Sequence, residues 1–561
     1  MLQWLLVKTN QMVSFWSTRR LSIMLTILAV ALWAVSITQA ELTIGFYGLI
    51  HSFPITFFIA LALLTLASAI LWGSRQNHGR LLCLQLCFLI TALWLSPILL
   101  GSNPVFASIG YRDYPFTDYI IRYDYINPAL ALFLYWPGHW ITQAALTEIT
   151  GREVLSIATS VGPFLMQFLT LLPLYLLLKN TINNANYRWA AAWIFYLANW
   201  TAQIYVSPQG IGLFLLLTLL ALLTKPGLRE RSVAVGDRLS ALLVMAGIVI
   251  THLITSVAAF LSTALLWTTS PRRDTRRATA KTLLVIAAVF IAAWTAYVIA
   301  IRPEWAWQLF QVVLERAFRL DFILQMHFVE HAGVSASHET VRWLRVLFSA
   351  LFTLIAITGI ILSLKFKDKA DRSILALTAM PIIVLFSGLY RWELLQRAYL
   401  LALVPIGYFG VKLLNHKASG VILCLLLLIA IPLNIVAHYG NAAIDHIPRG
   451  EIAYWHFIQD NISEGYVTGG LSPEFMGHAG YNKVDFGQLQ WEEDILVGEA
   501  LKNDRPHYVN VGKYDQSVYE FRHDDSQFIP ETHTRLESSA HYNLIYVNPD
   551  LSLYISKAEE A

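Results

Sequence analysis

Apolar runs recur along this chain at lengths that match the thickness of a lipid bilayer, and no other feature limits its fold as strongly. Crossing about 30 Å of hydrocarbon takes about 20 helical residues. Ten runs meet that requirement, near residues 21–40, 54–73, 81–100, 154–178, 188–206, 282–301, 344–364, 372–390, 395–414 and 418–438. A shorter one, 208–224, sits between Ser207-Pro208 and Lys225. The run 239–269 is too long for one span and too short for two ordinary ones. Thr251-His252 interrupts it, so it divides into two short helices meeting at a polar break. The expectation is an all-α polytopic membrane protein of about 13 transmembrane helices. Composition agrees, with 56% hydrophobic and 14% charged residues, against about 25% charged in soluble domains.

The basic residues report orientation. With a cytoplasmic N-terminus, the inner loops 1–20, 74–80, 179–188, 225–238, 270–281, 365–372 and 411–417 hold more than half of the 40 Lys and Arg and few acids, a positive-inside distribution. An odd number of spans puts the C-terminus outside. Lys8, Arg19 and Arg20 precede the first run as they would in a signal peptide, but that run exceeds the usual signal core of about 7 to 15 residues and reads as a retained span. The expected organisation is a cell-membrane domain over 1–439, with large outer loops at 101–153 and 302–343, and a small extracytoplasmic α/β domain over 440–561. In that tail 451–459 is helix-like, and 543–547 and 551–555 are strand-like. Dispersed over many short loops, the basic residues offer no patch for nucleic acid. Cys83, Cys87 and Cys424 lie in apolar stretches, which implies packing and no disulfide framework.

Four polar clusters interrupt the apolar pattern, and the topology puts all of them on the outer face. The first is the 101–153 loop, where Arg112, Asp113, Asp118, Arg122 and Asp124 are interleaved with tyrosines ahead of Trp136-Pro137-Gly138-His139-Trp140. Aspartates there suit a general base for a hydroxyl nucleophile, or ligands for a hard divalent cation such as Mg or Mn. The same composition suits an interfacial aromatic belt whose charges face water. After Trp140, the spacing of Ile141, Ala144, Ala145 and Ile149 predicts an amphipathic helix lying on the membrane. The second cluster, Ser207-Pro208-Gln209, reads as a tight turn opening a helix. The third, Thr251-His252 with Thr255, puts hydroxyls and an imidazole at membrane depth, where such groups line a bundle interior or a wet cavity, or bond helix to helix. In the fourth, Glu393 and Arg397 share a helix face, where the arginine suits a lipid phosphate and the glutamate would orient it. The 302–343 loop adds Arg302, Glu304, Arg316, Arg319, Asp321, His327, Glu330 and His331; the histidine pair lacks the other ligands of a defined metal motif. Asn461-Ile462-Ser463 matches a glycosylation acceptor pattern.

In this order the motifs resemble those of the C-type glycosyltransferase (GT-C) superfamily, and within it a group of multi-pass membrane proteins of archaea and some bacteria. The resemblance also draws on Tyr47-Gly-Leu-Ile-His-Ser-Phe-Pro54 and on Ile545-Tyr-Val-Asn-Pro-Asp-Leu-Ser-Leu-Tyr554. It implies transfer of a sugar from a polyprenyl-phosphate-linked donor to a glycan, lipid or protein acceptor outside the cell, with inversion. It also implies a catalytic base or metal ligand among Asp113, Asp118 and Asp124. Arg397 with Glu393 would hold the donor phosphate, with Arg112 and Arg122 as alternatives, and His252, Thr255, Gln209, Trp136 and His139 would line the pocket. No Trp-Trp-Asp motif is present, which argues against en bloc transfer to asparagine. The rival classes are a lipid or glycan transporter, an export scaffold, or a surface-glycan polymerase or ligase using a diphosphate-linked donor. A transporter would show repeated halves and midplane charge, and neither is evident.

Overall fold

A computed structural model describes residues 18–100, 108–128, 132–203, 205–225, 231–270, 275–319, 321–322, 325, 335–366, 372–387, 394–462, 464–469, 483–488 and 508–557. Every apolar run of the sequence carries helix. The first three are α1 (Thr18–Gln39), α2 (Ile55–Trp72) and α3 (Gly79–Trp94). The 101–153 region then contributes α4 (Ser108–Tyr123) and α5 (Gly138–Thr150). The bundle continues with α6 (Gly162–Thr181), α7 (Ala185–Ala198), α8 (Pro208–Thr224), α9 (Arg231–Thr251), α10 (Leu253–Thr269) and α11 (Thr275–Ile301). After α12 (Pro303–Arg316) come α13 (Ala336–Lys365), the pair α14 (Arg372–Leu377) and α15 (Ala379–Leu385), α16 (Leu394–Gly410) and α17 (Lys417–Tyr439). Among the described residues, seven helices are long and apolar enough to cross a membrane, and four more are apolar but shorter.

The outward faces identify the solvent. On α13, Leu347, Leu354 and Ile361 recur every seven residues and are each more than half exposed, and α17 exposes Val421, Leu425 and Ile429 four apart. Such stripes would be costly in water and are at home in lipid. Inside, polar groups bond to one another: Gln85 on α3 donates to Ser22 Oγ (2.9 Å) and Thr26 Oγ1 (2.7 Å) of α1 and accepts from Ser68 Oγ of α2 (3.0 Å). Cys83 and Cys87 are free thiols on α3.

Three departures from the sequence expectation bear on the site. The run 154–178 is not one helix, because a π turn over Ile157–Val161 precedes α6. The run 188–206 stops being helical at Ala198: Asn199 leaves helical geometry, accepts from Thr201 Oγ1 at 3.2 Å and starts an irregular polar connection to Ser207. The run 372–390 is interrupted at Thr378, and 388–393 lies outside the described residues.

Gly48 anchors the Tyr47–Pro54 motif. It has φ +68°, and a Cβ there would stand 1.7 Å from the carbonyl oxygen of Tyr439, where α17 ends. A Gly48→Ala variant combines a left-handed strain with a backbone collision. It should lose at least about 2 kcal/mol, read as a lowered melting temperature in detergent, and a wild-type melt would contradict the close approach.

Beyond α17, helix α18 (Arg449–Asn461) leads to a mixed five-stranded sheet. Its strands are β1 (Glu464–Gly469), β2 (Lys483–Gln488), β3 (Tyr508–Gly512), β4 (Tyr542–Val547) and β5 (Leu551–Ser556), in the order β2-β1-β3-β5-β4. β1 pairs in parallel with β2 and β3, and β5 is antiparallel to both β3 and β4. α19 (Lys513–His523) and α20 (Phe528–Glu537) cover the sheet. This unit rests on the start of α13, where Ser335 Oγ donates to the Phe521 carbonyl and the Ala336 N–H to Asp524 Oδ2 at 3.3 Å. Asn461 closes α18, its side chain donating to Phe457 O.

At the root of the unit, Glu451 is fully buried. Burial, followed by the charge of Asp515, holds its carboxyl well above the usual range, opposed by the Tyr514 backbone N–H and helped by Asp550. A raised folded-state pKa means that the folded unit binds the proton more tightly than the unfolded chain does. Glu451 therefore stabilises the fold fully below its unfolded pKa, and the contribution is lost as pH rises toward the folded value. Glu451→Gln should flatten this decline and raise the melting temperature above neutral pH. An unchanged pH profile would rule the titration out.

Candidate functional site

Three of the four polar clusters meet at the break between α9 and α10. His252 is the hinge residue, extended (φ −159°, ψ 124°) between two helices. Arg397, one turn into α16, donates from Nη1 to His252 Nε2 at 2.9 Å, and His252 Nδ1 lies 2.8 Å from Thr255 Oγ1. An arginine only donates, so Nε2 must be the bare nitrogen and Nδ1 carries the hydrogen toward Thr255. His252 is thus a neutral imidazole that positions a permanently charged guanidinium.

The neighbouring turns close on this pair through missing side chains. A Cβ on Gly138 would lie 2.6 Å from Thr251 Oγ1, and one on Gly212 would lie 2.5 Å from Thr255 Oγ1. The Trp136-Pro137-Gly138 turn therefore sits directly on the break from one side, and the first turn of α8 from the other. Ser207 starts α8 as expected, its Oγ accepting from the Gly210 N–H at 2.9 Å, with Pro208 at the first helical position, where its missing N–H costs no bond.

The aspartate-bearing helix α4 is fastened over this place by Gln143, a residue that composition did not single out. Its Oε1 accepts from Thr117 Oγ1 (2.8 Å) and its Nε2 donates to Val206 O (3.1 Å), the carbonyl before Ser207. Phe116 packs edge-on against Trp140. α5 exposes Ile141, Leu146 and Ile149 while it buries His139, Trp140, Gln143 and Ala144. This inverted pattern fits an interfacial helix whose apolar side faces lipid.

The proposed acids fall in different surroundings. Asp118 is bonded to Arg122 Nε at 2.9 Å, with the arginine about half exposed and the aspartate mostly enclosed. Asp124 is exposed and left-handed (φ 56°), ending α4 with its N–H on Ile120 O. Arg112 and Asp113 stand on α4, while their side chains lie outside the described residues, as do Glu393, His327, Glu330 and His331 entirely. Asp113 precedes Phe116 and Thr117 by three and four residues, the spacing of one helix face.

His139 lies in the interior instead of on a pocket wall. Its ring is completely buried, neither nitrogen has a hydrogen-bond partner, and burial pushes its pKa down to about 3. Trp136 is half-buried in the turn above the break. Arg302, at the start of α12, donates to Tyr135 Oη at 3.1 Å, and Trp294 to the Tyr135 carbonyl at 3.0 Å, so the region around α12 is tied to the 101–153 region.

Beside the break, the irregular connection after α7 forms one wall of a cleft lined by Gln167, Thr170, Asn199, Gln203, Ser207 and Gln209. Leu400, one turn beyond Arg397, closes it. The volume of the cleft, about 30 Å³, is room for a water or two, so its uncharged amides and hydroxyls are a polar lining beside the break and not a formed sugar pocket. No group of three or more His, Cys, Asp or Glu side chains able to hold a metal occurs among the described residues. Asp118, the best-enclosed of the described loop acids, is already engaged by Arg122.

No family model matches the chain, and no curated protein matches it in sequence. Solved structures do match. The archaeal oligosaccharyltransferase AglB from Archaeoglobus fulgidus, in complex with an inhibitory peptide and a dolichol-phosphate, superposes with a TM-score of 0.51 at 12% identity, over 86% of this chain and 74% of that one. ArnT from Cupriavidus metallidurans bound to undecaprenyl phosphate matches with a TM-score of 0.46 at 12% identity, over 85% of this chain and 98% of that one. The first of these likenesses establishes the fold.

Proposed function

We propose that this chain, which has the fold of the C-type glycosyltransferases, transfers a sugar from a polyprenyl-phosphate-linked donor to a hydroxyl-bearing glycan, lipid or protein on the outer face of the membrane. The observation that carries the reading is the hydrogen bond between Arg397 and His252 at a polar helix break roofed by the aspartate loop. A fixed cation at membrane depth is expensive unless it has a task, and the phosphate of a lipid carrier is an anion delivered at that depth.

In this reading Arg397 holds the donor phosphate, with His252 and Thr255 fixing the guanidinium, and the sugar lies beneath the aspartate loop. An aspartate of α4, Asp113 or Asp118, removes the proton from the acceptor hydroxyl. The freed oxygen attacks the anomeric carbon as the bond from that carbon to the phosphate oxygen breaks. The electron pair leaves with polyprenyl phosphate, whose added charge Arg397 stabilises. One displacement inverts the anomeric centre. The sheet unit after α17, read as extracytoplasmic, stands at the same end of the bundle, where it suits an acceptor.

The test is transfer assayed with purified protein in detergent against a panel of polyprenyl-phosphate-linked sugars. At least one donor should be consumed with release of polyprenyl phosphate. Turnover of diphosphate-linked donors alone would shift the reading to a polymerase or ligase.

A further inference from the structure

The opposite end of the bundle holds a second constellation that this reaction does not use. α7 begins there, and the side chain of its second residue, Asn186, donates to the carbonyls of Leu71, Ser74 and Gln76 and accepts from the His78 N–H at 3.0 Å. Its far end, at Ala198, accepts from Tyr399 Oη, two residues from Arg397. The 14 residues of α7 separate the two places by about 20 Å.

Next to Asn186 an open cleft of about 790 Å³ is lined by Arg19 of α1, His78 and Arg80 at the start of α3, and Tyr175, Arg188 and Trp189, with no carboxylate among the described lining residues. The start of α3 turns its first amides toward this space. The Gly79 N–H is taken by Asn77 Oδ1 at 2.9 Å and the Leu82 N–H by the His78 carbonyl, and among the described residues no acceptor meets those of Arg80 and Leu81. Trp189, only 8% exposed, stacks on Tyr175, and its indole Nε1 would stand 3.2 Å from a Cβ on Gly79. Arg188 is braced by the Ile182 and Asn183 carbonyls. The Trp189 indole, the start of α3 and the guanidinium groups of Arg19, Arg80 and Arg188 thus line one opening, whose rim at Cys83 and Leu84 is apolar.

We infer that this cleft binds the phosphate of an anionic phospholipid of the cytoplasmic leaflet, with the acyl chains along the Leu84 side of α3. Every charge among the described lining residues is positive, as an anion requires, and the apolar rim continues onto the lipid-facing surface, which a free phosphate would not need.

The test titrates the full-length protein in neutral detergent with dioctanoyl phosphatidylglycerol, following tryptophan fluorescence and melting temperature. Saturable binding is expected, weakened about tenfold or more in the Arg19→Gln/Arg80→Gln variant, whose two sites are exposed and whose lipid-free melt should match wild type. Should that variant misfold, Arg19→Lys/Arg80→Lys keeps the charge and should keep most of the affinity, while Trp189→Phe keeps the stacking and should weaken binding. Dioctanoyl phosphatidylcholine should bind at least several-fold more weakly. Equal affinity in the glutamine variant overturns the site, and inorganic phosphate binding as tightly as the lipid overturns the lipid assignment.

Discussion

Replacing Asp113 with Asn should abolish sugar transfer, a loss of about 10²- to 10⁴-fold in kcat for a missing general base, while the protein still folds and binds its donor. Asn keeps the shape and removes only basicity. Asp113 is preferred because it precedes by three and four residues Phe116 and Thr117, which pack on α5 above the His252 break. Asp118 commits its carboxylate to Arg122, so Asp118→Asn should cost less and should do so partly by loosening the loop. Measuring kcat and donor affinity for both variants separates these roles. Full activity in both would remove an aspartate base from the mechanism, and loss confined to Asp118→Asn would exchange the two assignments.

The second large effect should come from Arg397→Ala. A charge-assisted bond to phosphate contributes about 1.5 to 3 kcal/mol, so donor affinity should fall about 10- to 100-fold. Arg397→Lys should recover part of this, because an ammonium retains the charge and loses the planar fork. The substitution also strips His252 Nε2 of its donor, so the imidazole becomes free to reorient. His252→Gln therefore serves as the companion: it can still accept from Arg397, and it should retain most donor affinity. An Arg397→Ala enzyme with wild-type donor binding and turnover would disqualify the guanidinium as the phosphate ligand.

The helical spans were legible in the sequence because hydrocarbon thickness acts on each segment separately. So was the break at Thr251-His252, since polar groups at that depth disrupt an apolar run wherever it packs. Ser207-Pro208 announced a helix start for equally local reasons. The end of α7 at Ala198 was not legible, because Asn199, Thr201 and Gln203 sit in a run whose average hydropathy conceals them. Gln143 was invisible for a related reason: one amide in an amphipathic helix gives no signal until Thr117 and Val206 are brought to it. Gly138 and Gly212 carried no functional mark either, since their value is the absence of a side chain where another element passes.

The sequence by itself determined that the chain crosses a membrane many times, with polar breaks at fixed places and an α/β tail, because hydrophobic length and alternation are properties of short segments. Tertiary structure alone decided that His252 of one helix break receives the hydrogen bond of Arg397, distant by 145 residues, and that the turn at Gly138 covers them. Contacts between distant segments depend on how the helices pack side by side, and no local pattern encodes that packing.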